Sequence, residues 1–242
     1  MKTDNPAART LKVLRKLQET PMAASCKDSW CAALGIPTGN DSNLLMKLGA
    51  FMANPTEAVR IMNEKFPALR SQTDAWHLKF MSGITCQQLN AQLATFSASY
   101  RPVNNDFLEV MNHMIGTACY DVIPEQKISD SRAMLSELID SVLSSNLEEK
   151  VKNYVVKSIR RIISALEDYE ITGSIPVIES IEIMAGHVFT NEQFRISMNS
   201  DIGNKIFGVI GAIADAMAIA AGVPPTLWKQ IGSSFVGKLT SE

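Results

Sequence analysis

Glu179, Glu182 and His187 are the side chains of this sequence whose types and spacing come nearest to chemistry. Two carboxylates three residues apart, followed by an imidazole just after Gly186, could move a proton between them if the chain brought them together. The competing reading is structural. On a helix, Ile178, Ile181 and Met184 form one side and both glutamates face water on the other, leaving His187 as a loop residue. The chain has no glycine-rich phosphate loop, no HExxH, no GxSxG and no paired-Asp motif to add to this trio. We therefore expect no catalytic residues and no enzyme.

Metal chemistry has little to draw on. Cys26, Cys31, Cys86 and Cys119 contain no CxxC spacing, and only His77, His113 and His187 could join them. The expectation is small buried thiols, with no metal site and no cofactor. A third specialised use would be a helix-turn-helix over residues 27–53, with Trp30 to Gly35 as first helix and Ser42 to Phe51 as recognition helix. That second segment has Lys47 as its one cation, whereas a groove-reading helix presents several polar and basic groups. No sequence-specific nucleic acid binding is expected.

The elements that would hold such residues are helices. The chain has 242 residues, 46% hydrophobic and 20% charged, which suits one large folded domain or two small ones. Twelve Met against four Tyr and three Trp, with little strand-type alternation, indicate an all-α fold. Asn5-Pro6 opens a helix with Leu11, Leu14 and Leu17 on one face, stopped at Thr20-Pro21. Gly35 and Pro37 close a short helix carrying Trp30 and Leu34. Residues 42–53 are helical, and Asn54-Pro55-Thr56-Glu57 resembles a capping box that opens the next helix. Helical stretches follow around Trp76 to Met81 and, after Gly83, around Leu89, Leu93 and Phe96. Residues 104–118, 131–145 and 147–170 show helical spacing, and Ile123-Pro124 to Ser129 reads as a linker. The sum is a bundle of eight to ten helices. It divides into a basic N-terminal region, 1–122, and a C-terminal region, 129–242, which could also form one continuous domain.

Charge is unevenly spread. Residues 1–100 carry 11 Lys and Arg against 7 Asp and Glu, and residues 101–200 carry 9 against 15. A dipolar chain of this kind can fold its basic front on its acidic middle or assemble with another copy. Glu167, Asp168 and Glu170 crowd the negative end of the 147–170 helix, where each costs about 0.3 to 1 kcal/mol without a partner. Either salt screens them or they dock on a basic surface, for which Arg9, Lys12 and Lys16 of the first helix are the candidates.

Residues 206–225, IFGVIGAIADAMAIAAGVPP, raise the question of a membrane. Ile206, Ile210, Ile213 and Met217 fall within about a 60° sector of a helix. The opposite face reads Gly208, Gly211, Asp215, Ala218 and Gly222, flat enough for a second backbone to approach or for insertion as an oligomer. Seven strongly apolar residues at about −0.3 to −0.6 kcal/mol each are nearly cancelled by one central Asp at about +2.5 to +3.5. The expectation is a central hydrophobic helix, 202–222, with Leu227, Trp228, Ile231 and Phe235 of the 226–239 segment packed back onto it. The N-terminal residues lack the apolar stretch of a secretory signal, so a cytoplasmic protein is expected, with membrane association as the alternative.

The run ISALEDYEITGSIPVIESIEIMAG, residues 163–186, resembles a recurring pattern in a group of uncharacterised bacterial all-helical proteins. In these a long helix ends in Tyr-x-Ile-x-Gly before a short Glu-bearing helix and a hydrophobic C-terminal helix. The opening order of basic helix, Trp-containing short helix and Leu-rich helix is similar as well. What the resemblance implies is an accessory role, in phage defence or toxin control, and it carries no functional residues. The function expected is a non-enzymatic interaction protein with a protein partner or a second copy of itself. The alternative is a membrane-acting effector that inserts or oligomerises through residues 206–225.

Overall fold

The computed structural model describes residues 5–116 and 123–220, the last three of these by their backbone alone. Among the described residues the chain is all-helical, with twelve α-helices and no strand. That exceeds the expected eight to ten because two four-residue helices and one seven-residue helix add to the long ones. Two compact units emerge. The first holds residues 5–116 and Glu170–Thr172, the second residues 123–169 and 173–220.

The first unit begins with α1 (Pro6–Gln18), whose N-cap Asn5 accepts a hydrogen bond from the Ala8 amide at 2.9 Å. Pro6 takes the first helical position, where its missing N–H costs nothing. Leu11, Leu14 and Leu17 are buried on one stripe. α2 (Cys26–Leu34) is capped by Ser25 and closed by Gly35 at φ 70°, a left-handed turn that a side chain would disfavour. α3 (Asp41–Lys65) is one continuous helix of 25 residues with Pro55 inside it. The expected capping box at Asn54 is absent. An interior proline costs about 3 kcal/mol, and here the burial of Phe51, Asn54, Pro55, Ala58, Ile61 and Met62 around the site offsets it.

A 3-10 turn (Pro67–Leu69) leads into α4 (Arg70–Cys86), which runs through Gly83 instead of ending there. A Cβ at Gly83 would lie 2.9 Å from both the Phe96 ring and the Tyr100 Cβ, so glycine serves close packing at this point. The helix expected around Leu89 is a turn, fastened by Cys26 N–H to the Ala91 carbonyl and Leu93 N–H to the Ala24 carbonyl, both 2.9 Å. α5 (Ala94–Ser97) and α6 (Asn104–Gly116) complete the unit. Its core is a chain of rings. Trp30 meets Phe51 and Phe96 at 5.9 and 5.4 Å, Phe80 stacks on Trp76 at 5.7 Å, and Tyr100 meets Phe80 edge-on at 5.8 Å.

The second unit contains α7 (Glu125–Leu143), α8 (Glu149–Glu167), α10 (Ile175–Thr190), α11 (Glu192–Met198) and α12 (Asp201–Ala220). The intervening α9 (Tyr169–Thr172) is divided, Tyr169 belonging here and the rest to the first unit. The expected linker over 123–129 is instead the start of α7, because Ile123 is buried and its N–H donates to the Tyr169 hydroxyl at 3.2 Å. α7 packs on α8, α8 on α10, α10 on α12 and α12 on α7, a closed ring of four helices. Leu135, Leu138, Val155, Ile159, Ile181 and Ile213 fill its interior.

Candidate interaction surfaces

The acidic end of α8 is resolved into separate pairs. Glu167 accepts from Arg132 of α7 at 2.8 Å within the second unit. Glu170 meets Lys12 of α1 at 3.0 Å within the first. Asp168 is the half-buried C-cap residue of α8, and Lys16 is half-buried on α1. Arg9 has a different use: it is buried, and its Nε donates to Asn54 Oδ1 at 3.0 Å. Asn54 in turn donates from Nδ2 to the Ile171 carbonyl. The arrangement therefore joins Lys12 to Glu170, while Arg9 joins a buried polar chain. Exposed ion pairs of this type are each worth about 0 to 1 kcal/mol, so the buried Arg9–Asn54–Ile171 chain is the more consequential contact.

On α12 the bulky ridge is buried: Ile206, Ile210, Ile213 and Met217 all enter the core of the second unit. Gly208 and Gly211 lie on the other side with nothing among the described residues within 4 Å of where a Cβ would stand. No second backbone lies against these two glycines among the described residues. Asp215 is half-buried, with Oδ1 inaccessible and without a hydrogen-bond partner among the described residues. The side chain of Ala218, Gly222 and the whole 226–239 segment lie outside the described residues. Among the described residues no helix is long and apolar enough to cross a membrane.

Glu179 and Glu182 are both exposed on α10. His187 lies within the same helix, not in a loop, and stacks on Tyr154 of α8 with ring centroids 3.7 Å apart. Phe194 closes on both rings at 5.2 and 5.1 Å. The imidazole is thereby turned toward an aromatic cluster, and its Nδ1 lies 3.4 Å from the Thr190 hydroxyl. Cys26 and Cys31 are buried, and burial pushes both thiols above their ordinary pKa, whereas Cys86 is exposed. Cys119 lies outside the described residues. Among the described residues no three His, Cys, Asp or Glu side chains are placed to hold a metal. The proposed recognition helix, Ser42 to Phe51, is the first part of α3 with Leu44, Leu48 and Phe51 buried.

One surface was missed by reading motifs. On α10 the buried stripe of Val177, Ile181, Met184 and Val188 leaves Ile175, Ile183 and Phe189 facing outward, 48%, 54% and 73% exposed. Ile196 of α11 is 64% exposed as well. The signal was present as apolar residues out of phase with the core stripe, and it becomes meaningful only once the core side is known. Comparison with known proteins finds no family model that matches this chain, and no curated protein or solved structure similar to it.

Proposed function

We propose that this chain is a non-enzymatic interaction protein that works by presenting a rigid helix face to a protein partner. The observation that carries the reading is the outward apolar face of α10 and α11, with Ile175, Ile183, Phe189 and Ile196 exposed above a filled core. Leaving such side chains in water forgoes about 25 cal/mol for every square ångström that a partner could cover. Glu179 and Glu182 lie between these apolar side chains on the outward side of α10, so the contact would combine apolar anchors with two carboxylates that favour a partner carrying basic groups. In this reading α12 is the central helix of the second unit, its ridge buried to stiffen the α10 face. The resemblance of residues 163–186 favours a bacterial, cytoplasmic accessory of phage defence or toxin control. Burial of Ile206, Ile210, Ile213 and Met217 weighs against the membrane-acting alternative.

The test compares wild type with an Ile183→Asp/Phe189→Asp variant in the native cells, after showing that both melt alike. Co-purification quantified by mass spectrometry should lose a defined partner in the variant. An identical set of proteins with both would end this reading.

A further inference from the structure

The outward side of α3 carries a repeat of its own. Ser42, Leu45, Gly49, Met52 and Thr56 follow one another at steps of three and four, the spacing along which one helix packs on another. With Met46 and Ala53 they fall within about 60° to either side of Gly49 at about 100° per residue, opposite the buried Leu44, Leu48, Phe51 and Ala58. The strip runs for about 21 Å, and none of its seven residues is charged.

Leu45 and Met46 are 56% and 66% exposed, Gly49 and Ala53 are exposed beside them, and nothing among the described residues lies within 4 Å of where a Cβ on Gly49 would stand. Two large apolar side chains therefore border a bare stretch of backbone. The nearest acidic groups, about 80° to either flank, already have cations: Asp41 meets Lys27 at 2.6 Å and Glu57 meets Arg60 at 2.6 Å. A charged peptide, a nucleic acid or an anionic surface finds no counter-charge on this strip. An uncharged helix that leaves room at its crossing point can approach closely.

We propose that two copies of this chain associate through α3, the helices crossing antiparallel at Gly49. A two-fold axis lying between the helices and perpendicular to them sets each residue k places after Gly49 level with the residue k places before Gly49 of the second copy. Glycine then meets glycine. On one flank Leu45 lies beside Met52 of the second copy, on the other Met46 lies beside Ala53 of the second copy, and Ser42 is level with Thr56 of the second copy. Each contact is made twice, and the assembly closes as a dimer. Antiparallel order also opposes the two helix dipoles, and it leaves Asp41 and the second copy's Glu57 on opposite flanks. The occupant that brings an open glycine to the crossing and an alanine to the place where Met46 projects is the same strip reversed. One helix face buries less than the about 800 Å² a side of a standard interface, so this dimer is a weak one, half formed at about 10 to 100 μM.

The dimer uses a helix of the first unit, away from α10 and α11, so its failure would leave the partner reading untouched and Ile183→Asp/Phe189→Asp should dimerise as the wild type does. The experiment is sedimentation equilibrium on the full chain from about 10 to about 300 μM, at about 0.05 M and about 0.5 M salt. The wild type should dimerise with little difference between the two salts, because no ion pair crosses the strip. Gly49→Leu should keep the fold, having open space around it, and weaken the dimer at least about tenfold by holding the helices apart. If that variant fails to fold by circular dichroism, Met46→Lys, at an exposed position, replaces it with the same expectation. The register is read by oxidation after Cys86→Ser and Cys119→Ser: adding Met46→Cys/Ala53→Cys should give a disulfide-linked dimer, and adding Met46→Cys alone should not, its sulfurs being about 9 Å apart along the helices. A wild type monomeric at about 300 μM, a dimer indifferent to both Gly49→Leu and Met46→Lys, or cross-linking equal in the two cysteine variants overturns the proposal.

Discussion

Trp76 donates its indole N–H to the Tyr100 hydroxyl at 3.2 Å, and that hydroxyl donates onward to Asn105 Oδ1 at 2.7 Å. All three side chains are buried, so one phenolic oxygen serves two groups that water does not reach. Burial pushes the Tyr100 pKa upward, against a smaller opposing effect of the Trp76 hydrogen bond.

Tyr100→Phe should therefore destabilise the chain by about 1 to 3 kcal/mol, because it strands a buried donor and a buried acceptor while keeping the ring. Urea denaturation followed by Trp fluorescence measures this. A change within error would show that the network contributes nothing net. Since the folded-state pKa is raised, the stability held by the neutral phenol is complete below the unfolded value near 10 and declines as pH rises beyond it.

Asn54 links the buried Arg9 to the Ile171 carbonyl, so its loss should be felt in the first unit. Asn54→Ala is expected to cost about 2 kcal/mol or more, given one hydrogen bond from a charged group and one to a buried carbonyl. Thermal melting of the variant, with Lys12→Ala as the exposed control, should show a large shift for the first and little for the second.

Gly83 and Gly49 should respond oppositely to alanine. At Gly83 the added methyl meets Phe96 and Tyr100 at 2.9 Å, and overpacking should outweigh the gain of about 1 kcal/mol in helix propensity. At Gly49, inside α3, nothing among the described residues lies within 4 Å of an added methyl, so alanine should stabilise by about 0.5 to 1 kcal/mol. Melting temperatures that move in the same direction would contradict this placement of the two residues.

His77 has its Nε2 buried without a hydrogen-bond partner among the described residues, and burial lowers its pKa against a weaker raising influence of Asp74. The folded state thus binds fewer protons than the unfolded chain. The contribution is complete above the ordinary value of 6.5 and is lost as pH falls through the lower folded-state pKa. Melts from pH 7.5 down to about 5 should fall, and His77→Gln should flatten that fall. An unchanged slope in the variant would assign the acid sensitivity to other groups.

The helical class, the start of α1 at Asn5-Pro6 and the close of α2 at Gly35 were legible from local chemistry, because caps act through neighbouring backbone groups. Local chemistry misled where a tertiary contact outweighed it. Pro55 and Gly83 carry breaking signals, yet both sit inside helices: burial around Pro55 offsets its cost, and the space beside Gly83 is taken by Phe96 and Tyr100. The same reason explains His187, which follows a glycine but remains helical where it stacks on Tyr154.

By itself, then, the order of residues determined an all-helical chain, its local caps and the bulky ridge of α12. Only the tertiary structure decided which side of each amphipathic helix is covered. It also decided that Glu167 meets Arg132 while Glu170 meets Lys12, and that Ile183 and Phe189 remain outside. Periodicity records a helix's own faces, whereas the partner of a face is chosen by packing between residues far apart in sequence, where size, burial and charge are settled together.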